Sequence, residues 1–201
     1  MRIDFDWRRR VGAIGLLALA AACGDSTPQV GDDGWATLLD DTGLRFWNQV
    51  GDANWHMEDD AAVADSSTTN SYLVSKQTYA NFELTLEFWV NSEANSGVFL
   101  RCQNAEVINE TSCYEVNIYD TRSDQTYRTG GIVGRAEPAQ FVYTGGQWNR
   151  YEISAQGSRL RVTLNGKEMV DVENSELASG VIALQYGTGT VKFRNVRIRS
   201  L

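Results

Sequence analysis

Asn81-Phe82-Glu83-Leu84-Thr85-Leu86-Glu87-Phe88-Trp89-Val90 puts Phe82, Leu84, Leu86 and Phe88 at every second position, with Glu83, Thr85, Glu87 and Trp89 between them. Successive side chains of an extended chain point to opposite sides, so this stretch predicts a strand with one apolar and one polar face. Outward from it, residues 97–103, 114–120, 148–155, 159–165, 180–186 and 191–200 are rich in Val, Ile, Leu, Phe, Tyr and Trp, and Gly, Asn, Asp and Ser clusters separate them. No long stretch follows a 3.6-residue period, so the expected class is all-β. Leu164-Asn165-Gly166-Lys167 predicts a hairpin, because Asn-Gly accepts the positive φ angles of a two-residue primed turn. Strands of this length and spacing suggest two antiparallel sheets packed as a sandwich or jelly roll. No internal repeat and no second domain is visible between residues 34 and 201.

The 201-residue chain carries 26 acidic and 18 basic residues, a net charge of -8. Binding to nucleic acid by neutralising phosphates needs a surplus of Lys and Arg, so a nucleic-acid partner is not expected. With one histidine and three cysteines, neither an HExxH zinc site nor paired CxxC motifs can be built. A Ser-His-Asp triad would have to use His56, the one histidine of the chain. Thr129-Gly130-Gly131-Ile132-Val133-Gly134 is not a dinucleotide fingerprint, since no helix follows it.

At the N-terminus, Arg8, Arg9 and Arg10 precede an apolar run over residues 11–22, which ends in Ala20-Ala21-Ala22-Cys23. That run is too short to span a bilayer, which takes about 20 residues. It reads as an export signal with a bacterial lipobox, after which a lipidated Cys23 becomes the mature N-terminus. A buried first helix is the alternative, but nothing caps it and Gly24-Asp25-Ser26-Thr27-Pro28 follows at once. The three arginines leave twin-arginine export open. The expected organisation is a signal peptide at 1–22, a tether at 23–33 and one domain at 34–201. The protein would sit in the periplasm or cell envelope, held to the membrane by lipid alone. The mature chain would carry 14 basic and 24 acidic residues, a net charge of -10. In an oxidising compartment Cys102 and Cys113 either form a disulfide, worth roughly 2 to 3 kcal/mol by loop entropy, or stay buried and reduced. Asn109-Glu110-Thr111 between them matches a glycosylation sequon that has no meaning in a bacterial lipoprotein.

Alternation also selects polar residues. Tyr114, Val116 and Ile118 belong to the apolar face of their strand, which leaves Glu115, Asn117 and Tyr119 opposite; Glu87, Arg101 and Gln185 take the same side in their own strands. If these strands are neighbours, two carboxylates, a guanidinium and two amides share one sheet surface. A solvated outer face is the plain alternative. The aromatic company of Trp89 and Tyr119, with Trp47 or Tyr186 from loops, favours a carbohydrate, because aromatic faces combined with carboxylates and amides suit sugar rings.

Eight motifs occur in order: Gly34-Trp35-Ala36-Thr37-Leu38-Leu39-Asp40, Leu44-Arg45-Phe46-Trp47, Asn81-Phe82-Glu83-Leu84-Thr85-Leu86-Glu87-Phe88, Asn95-Ser96-Gly97-Val98-Phe99-Leu100-Arg101, Tyr114-Glu115-Val116-Asn117-Ile118-Tyr119-Asp120, Leu164-Asn165-Gly166, Ile182-Ala183-Leu184-Gln185 and Phe193-Arg194-Asn195-Val196. From Gly34 to Leu201 the chain resembles the 3-keto-disaccharide hydrolase domain family. The resemblance implies a concanavalin-like jelly roll and cleavage of a glycosidic bond in a sugar already oxidised to a ketone at C3. The ketone acidifies the C2 proton; a base removes it, an enediolate forms and the C1 substituent leaves. Such chemistry assigns Glu115 or Glu87 as base and acid and Arg101 as the electrostatic stabiliser. Asn117, Asp120, Arg128 and Gln185 would recognise hydroxyls, with Tyr119 and Trp47 as aromatic contacts. A divalent cation could assist Arg101, although no ligand spacing demonstrates one. An upstream sugar 3-oxidoreductase would have to supply the ketone. Two departures bear on the substrate: Asn117 stands where many members carry Gln, and the Cys102 to Cys113 insertion places a loop at the expected entrance; His56 falls where the resemblance implies an ordinary surface residue, so an exposed strand histidine is expected and not a catalytic one. A non-catalytic carbohydrate-binding module is the main alternative, and a cell-envelope adhesion or scaffold protein is a further one.

Overall fold

The computed structural model describes Met1 and residues 27–201; residues 2–22 of the expected signal segment and Cys23 lie outside the described residues. In chain order the strands are β1 (Ala36–Leu39), β2 (Trp47–Val50), β3 (His56–Glu58), β4 (Ala61–Ala64), β5 (Ser71–Tyr79), β6 (Phe82–Val90), β7 (Ser96–Cys102), β8 (Tyr114–Ile118), β9 (Trp148–Gln156), β10 (Arg159–Leu164), β11 (Lys167–Glu173), β12 (Gly180–Tyr186) and β13 (Val191–Ser200). The seven expected strands all form. The short strands β1 to β4, together with β5 and β11, carry weaker alternation, and pairing with a stronger neighbour makes them strands. His56 lies exposed on β3, as expected.

Two antiparallel sheets result. The first runs β11-β10-β9-β6-β13-β4-β3, with β1 beside the far end of β13, and the second runs β2-β5-β12-β7-β8. In β6 the alternation is preserved residue by residue: Phe82, Leu84, Leu86 and Phe88 are buried, and the residues between them are half-buried. Leu84, Phe88, Tyr151, Ile153 and Phe193 of the first sheet pack against Leu73, Val98, Leu100, Val116, Ile118 and Leu184 of the second. Each such aliphatic or aromatic side chain contributes about 1.5 to 3 kcal/mol by leaving water. The expected hairpin joins β10 to β11, with Asn165 at φ +51° and Gly166 at φ +76°.

The second sheet positions the site. Its outer face carries a smaller apolar cluster of Tyr72, Val74, Phe99, Cys102, Ile108, Cys113, Val181 and Ala183. Cys102 and Cys113 are disulfide-bonded, closing the β7–β8 connection over that face. The open edge of β8 is covered by the segment that follows it. Val133 N–H donates to Glu115 O at 3.0 Å and Asn117 N–H to Gly131 O at 3.0 Å, so the edge offers no free ladder for another chain.

Candidate functional site on the outer face of the second sheet

Three residues expected to lie together do so. In β8, Tyr114, Val116 and Ile118 enter the main core, so Glu115 and Asn117 point to the outer face. In β12, Leu184 enters the core and Gln185 faces outward beside Tyr72, its partner in β5. Glu115 pairs with Phe99, and Asn117 with Gly97, across β7 and β8. Gly97 matters because it has no side chain: a Cβ there would stand 3.3 Å from both Cγ and Oε1 of Glu115. The Glu115 carboxylate therefore occupies a notch in the sheet surface that only glycine leaves open.

The notch is buried and polar at once. Glu115 is 9% exposed, Asn117 1% and Gln185 4%. Burial pushes the Glu115 carboxyl up to about 7, the Glu110 charge adds to the shift, and Arg122 opposes it. Asn117 Nδ2 donates to Tyr127 O at 2.5 Å, but Asn117 Oδ1 is buried without a partner, and so is Gln185 Oε1. Buried acceptors of this kind are normally satisfied by the chain or by water, so both oxygens have capacity to accept hydrogen bonds. Tyr72 stacks edge-on against Phe99 with centroids 5.5 Å apart. Its hydroxyl is raised mainly by burial, a hydrogen bond with the Gln185 side chain opposes that, and the charges of Glu115 and Glu110 add to it. The arrangement can exchange a proton near neutral pH and can accept hydrogen bonds from hydroxyl groups.

The other expected site residues go elsewhere. Glu87 lies in β6 of the first sheet and faces the opposite surface of the sandwich, where Arg194 Nε donates to its Oε2 at 2.7 Å. It cannot share a substrate with Glu115 through two layers of sheet, which are about 10 Å apart in such packings. Arg101 follows the expected alternation only as far as Leu100. Its φ of +52° belongs to a bulge: Val181 pairs with Cys102 but Ala183 pairs with Phe99, so β7 spends one residue more than β12. The bulge turns the guanidinium away from the outer face. Nε donates to Ala80 O at 2.8 Å, and Nη1 donates to Gly157 O at 2.8 Å and to Leu177 O at 3.0 Å. Arg101 is thus a buried bolt joining the loops of both sheets.

Trp47 is a core residue, 4% exposed, with Nε1 donating to Leu38 O at 2.7 Å, and Tyr186 is core as well. Asp120 is committed to the β8–β9 connection. It accepts from Thr129 Oγ1 at 2.5 Å, Thr144 N–H at 2.6 Å and Gly145 N–H at 3.2 Å. Arg128 donates to Gln125 Oε1 at 3.0 Å and Val142 O at 3.3 Å, with its guanidinium 3.0 Å above the Phe141 ring. These two residues hold the loop beside the site and have few groups left for a sugar. Tyr119 is half-buried just after β8, its N–H donating to Thr129 Oγ1 at 2.8 Å. Among the described residues no group of three or more His, Cys, Asp or Glu side chains gathers to hold a metal ion.

Gly97 and Tyr72 complete the site and were not expected there, and the charges of Glu110 and Arg122 act on Glu115. A glycine inside a strand of otherwise large residues was the available signal for Gly97. Tyr72 alternates with Leu73 in a strand too irregular to read. Glu110 and Arg122 come from loops, whose path no periodicity gives.

The family model for the 3-keto-alpha-glucoside-1,2-lyase-like domain matches residues 34–199. The chain belongs to that family. Among solved structures, a provisionally assigned glycosyl hydrolase of Parabacteroides distasonis superposes with a TM-score of 0.74 at 17% identity, covering 84% of this chain and 95% of the other. A second one from the same organism gives 0.69 at 24% identity, covering 83% and 99%. The carbohydrate-binding module CBM66 of Bacillus subtilis gives 0.56 at 16% identity, covering 83% and 96%. These likenesses show that the two-sheet sandwich fold is shared with those proteins. No curated protein matches the chain in sequence.

Proposed function

We propose that this 3-keto-alpha-glucoside-1,2-lyase-like domain cleaves 3-keto-glycosides by C2 proton abstraction, with Glu115 as its acid–base residue. The observation that carries the reading is the buried Glu115 carboxyl, held at about 7 over Gly97 beside the unpartnered Asn117 and Gln185 oxygens. A group that is half ionised near neutral pH can both give and take a proton. The two amide oxygens suit sugar hydroxyls, which are donors. A C3 ketone makes the C2 proton removable by a carboxylate. Arg122, whose charge reaches Glu115, takes the stabilising role for the enediolate that Arg101 cannot fill.

The test is turnover of a 3-keto-disaccharide against its unoxidised parent. The expected result is product from the ketosugar alone, reduced at least about 100-fold in Glu115→Gln. Failure of the ketosugar to react with any common divalent ion present would overturn the enzyme. Binding of an unmodified glycan without product, undiminished in Glu115→Gln, would instead assign a carbohydrate-binding module.

Export and lipid anchorage at Cys23 belong to the same proposal, as does an upstream sugar 3-oxidoreductase. The Cys102–Cys113 disulfide suits an oxidising compartment. Fatty-acid labelling that is lost in Cys23→Ser would support the anchor, and labelling that persists would exclude it.

A further inference from the structure

The outer face of the first sheet carries an aromatic and charged recess of its own. Trp89 alternates with the buried Phe88 and Val90, so its ring leaves the core, as the Glu87 carboxylate does two residues earlier. Trp89 pairs with Trp148 of β9 on one side and with Lys192 of β13 on the other, and Glu87 pairs with Arg150 and Arg194 in the same two strands. Side chains directly opposite one another in antiparallel strands share a face, so two indoles and their basic neighbours meet on one surface. The β3–β4 turn adds an acidic rim: Glu58 pairs with Ala61, which leaves Asp59 and Asp60 as the turn residues. The two indoles, Lys192, Arg194 and this turn line a recess of about 250 Å³.

Its charged groups are held against one another and against the rings. Arg194 Nε donates to Glu87 Oε2 at 2.7 Å, Nη1 stands 3.6 Å from Asp60 Oδ2, and the guanidinium lies 4.0 Å above the Trp148 ring. Lys192 Nζ donates to Glu58 Oε1 at 3.1 Å and lies 5.8 Å from the centre of the Trp89 ring. These contacts decide what the recess can take. One of the chain's own cations already stands over each ring, so a cationic ligand meets like charge there. An anionic ligand meets the carboxylates of Glu58, Asp59 and Asp60. A neutral ring with an apolar face and hydroxyls on its edge escapes both penalties. Its C–H face packs on exposed indole, and its hydroxyls donate to the carboxylates and accept from Lys192 and Arg194. Trp148 keeps 37% of its surface exposed for that contact. The ion pairs hold the polar groups in place before any ligand arrives, which lowers the ordering cost of binding.

We propose that this recess is a second carbohydrate site, which binds a neutral glycan on the side of the sandwich opposite Glu115. Both sheets lie between the two sites, so a sugar seated on Trp148 is out of reach of the Glu115 carboxyl. A glycan held there leaves the Glu115 face free, and the inference does not depend on Glu115 being catalytic.

NMR of the full chain, titrated with neutral gluco-, manno- and xylo-hexasaccharides to about 10 mM, tests this. At least one of these sugars should shift the indole N–H signals of Trp89 and Trp148. The side-chain amide signals of Asn117 and Gln185 report on the other face, and shifts confined to them overturn the proposal. So does the absence of any indole shift, or a shift produced only by an anionic galacturonate or a cationic glucosamine oligomer. Trp148→Ala should weaken the binding read at Trp89 at least about 10-fold, and Glu115→Gln should leave it unchanged. Full-strength binding by folded Trp148→Ala overturns the site; if that variant does not fold, the wild-type indole shifts decide.

Discussion

The carboxylate of Glu115 lies in the space that a side chain at Gly97 would fill, with Oε1 3.3 Å from the position of the missing Cβ. The backbone oxygen of Val116 is equally close to that position, so the notch has a rigid wall on one side and a movable carboxylate on the other. Sheet backbone and side-chain placement are thereby coupled at a buried carboxyl pushed up to about 7.

Gly97→Ala should keep the fold and expel the carboxylate. The added methyl group overpacks the notch, at a cost of about 1 to 3 kcal/mol, and the side chain that can yield is Glu115. Once pushed toward water, Glu115 should titrate closer to its ordinary value of 4.5. Thermal unfolding and a carboxyl NMR titration together check this; a lower melting temperature with an unmoved Glu115 midpoint would show that the strain went into the sheet.

Glu115 should make the protein less stable as the pH rises. Its carboxyl titrates at 4.5 in the unfolded chain and at about 7 when folded. Between those values the unfolded chain has lost a proton that the folded chain keeps, so stability falls from about pH 4.5 to 7 and is flat above. The full loss is on the order of 3 kcal/mol. Glu115→Gln should therefore be more stable than the wild type at pH 8, with the advantage shrinking at pH 4. Denaturant unfolding at the two pH values measures it, and an equal difference at both would remove the buried ionisation as its cause.

Arg101 should matter for stability and not for recognition. Replacing it with Met removes the donors held by the carbonyls of Ala80, Gly157 and Leu177 and leaves those acceptors unsatisfied. A loss of at least about 3 kcal/mol follows from several charged hydrogen bonds broken at once. Chemical denaturation gives the loss. Glycan binding by the fraction that remains folded should match the wild type; weakened binding by folded protein would place Arg101 in the site after all.

Asp120→Ala should loosen the β8–β9 connection. The carboxylate gathers Thr129, Thr144 and Gly145, residues distant in sequence, onto the end of β8. Without it, amide exchange should speed up within residues 119–147 while β6 and β9 keep their protection. Acceleration spread evenly over both sheets would mean global destabilisation instead.

What the sequence by itself determined was the set of residues sharing each face. The alternation in 82–90, 114–118 and 180–186 assigned Leu86, Val116 and Leu184 to the core and Glu115, Asn117 and Gln185 to the opposite side, and the structure agrees. That works because a strand's side chains alternate whatever its neighbours are. Which strands are neighbours is not written in alternation. Glu87 has the same local pattern as Glu115 but lies in the other sheet, paired with Arg194. Arg101 has the same pattern too, and one extra residue in β7 turns it into the loops. The tertiary structure alone decided that the β7–β8 connection is tied down at both ends, with Ile108 buried on the outer face of the second sheet. The disulfide and the burial of Ile108 set the course of that loop, and contacts between residues far apart in the chain leave no period in the sequence.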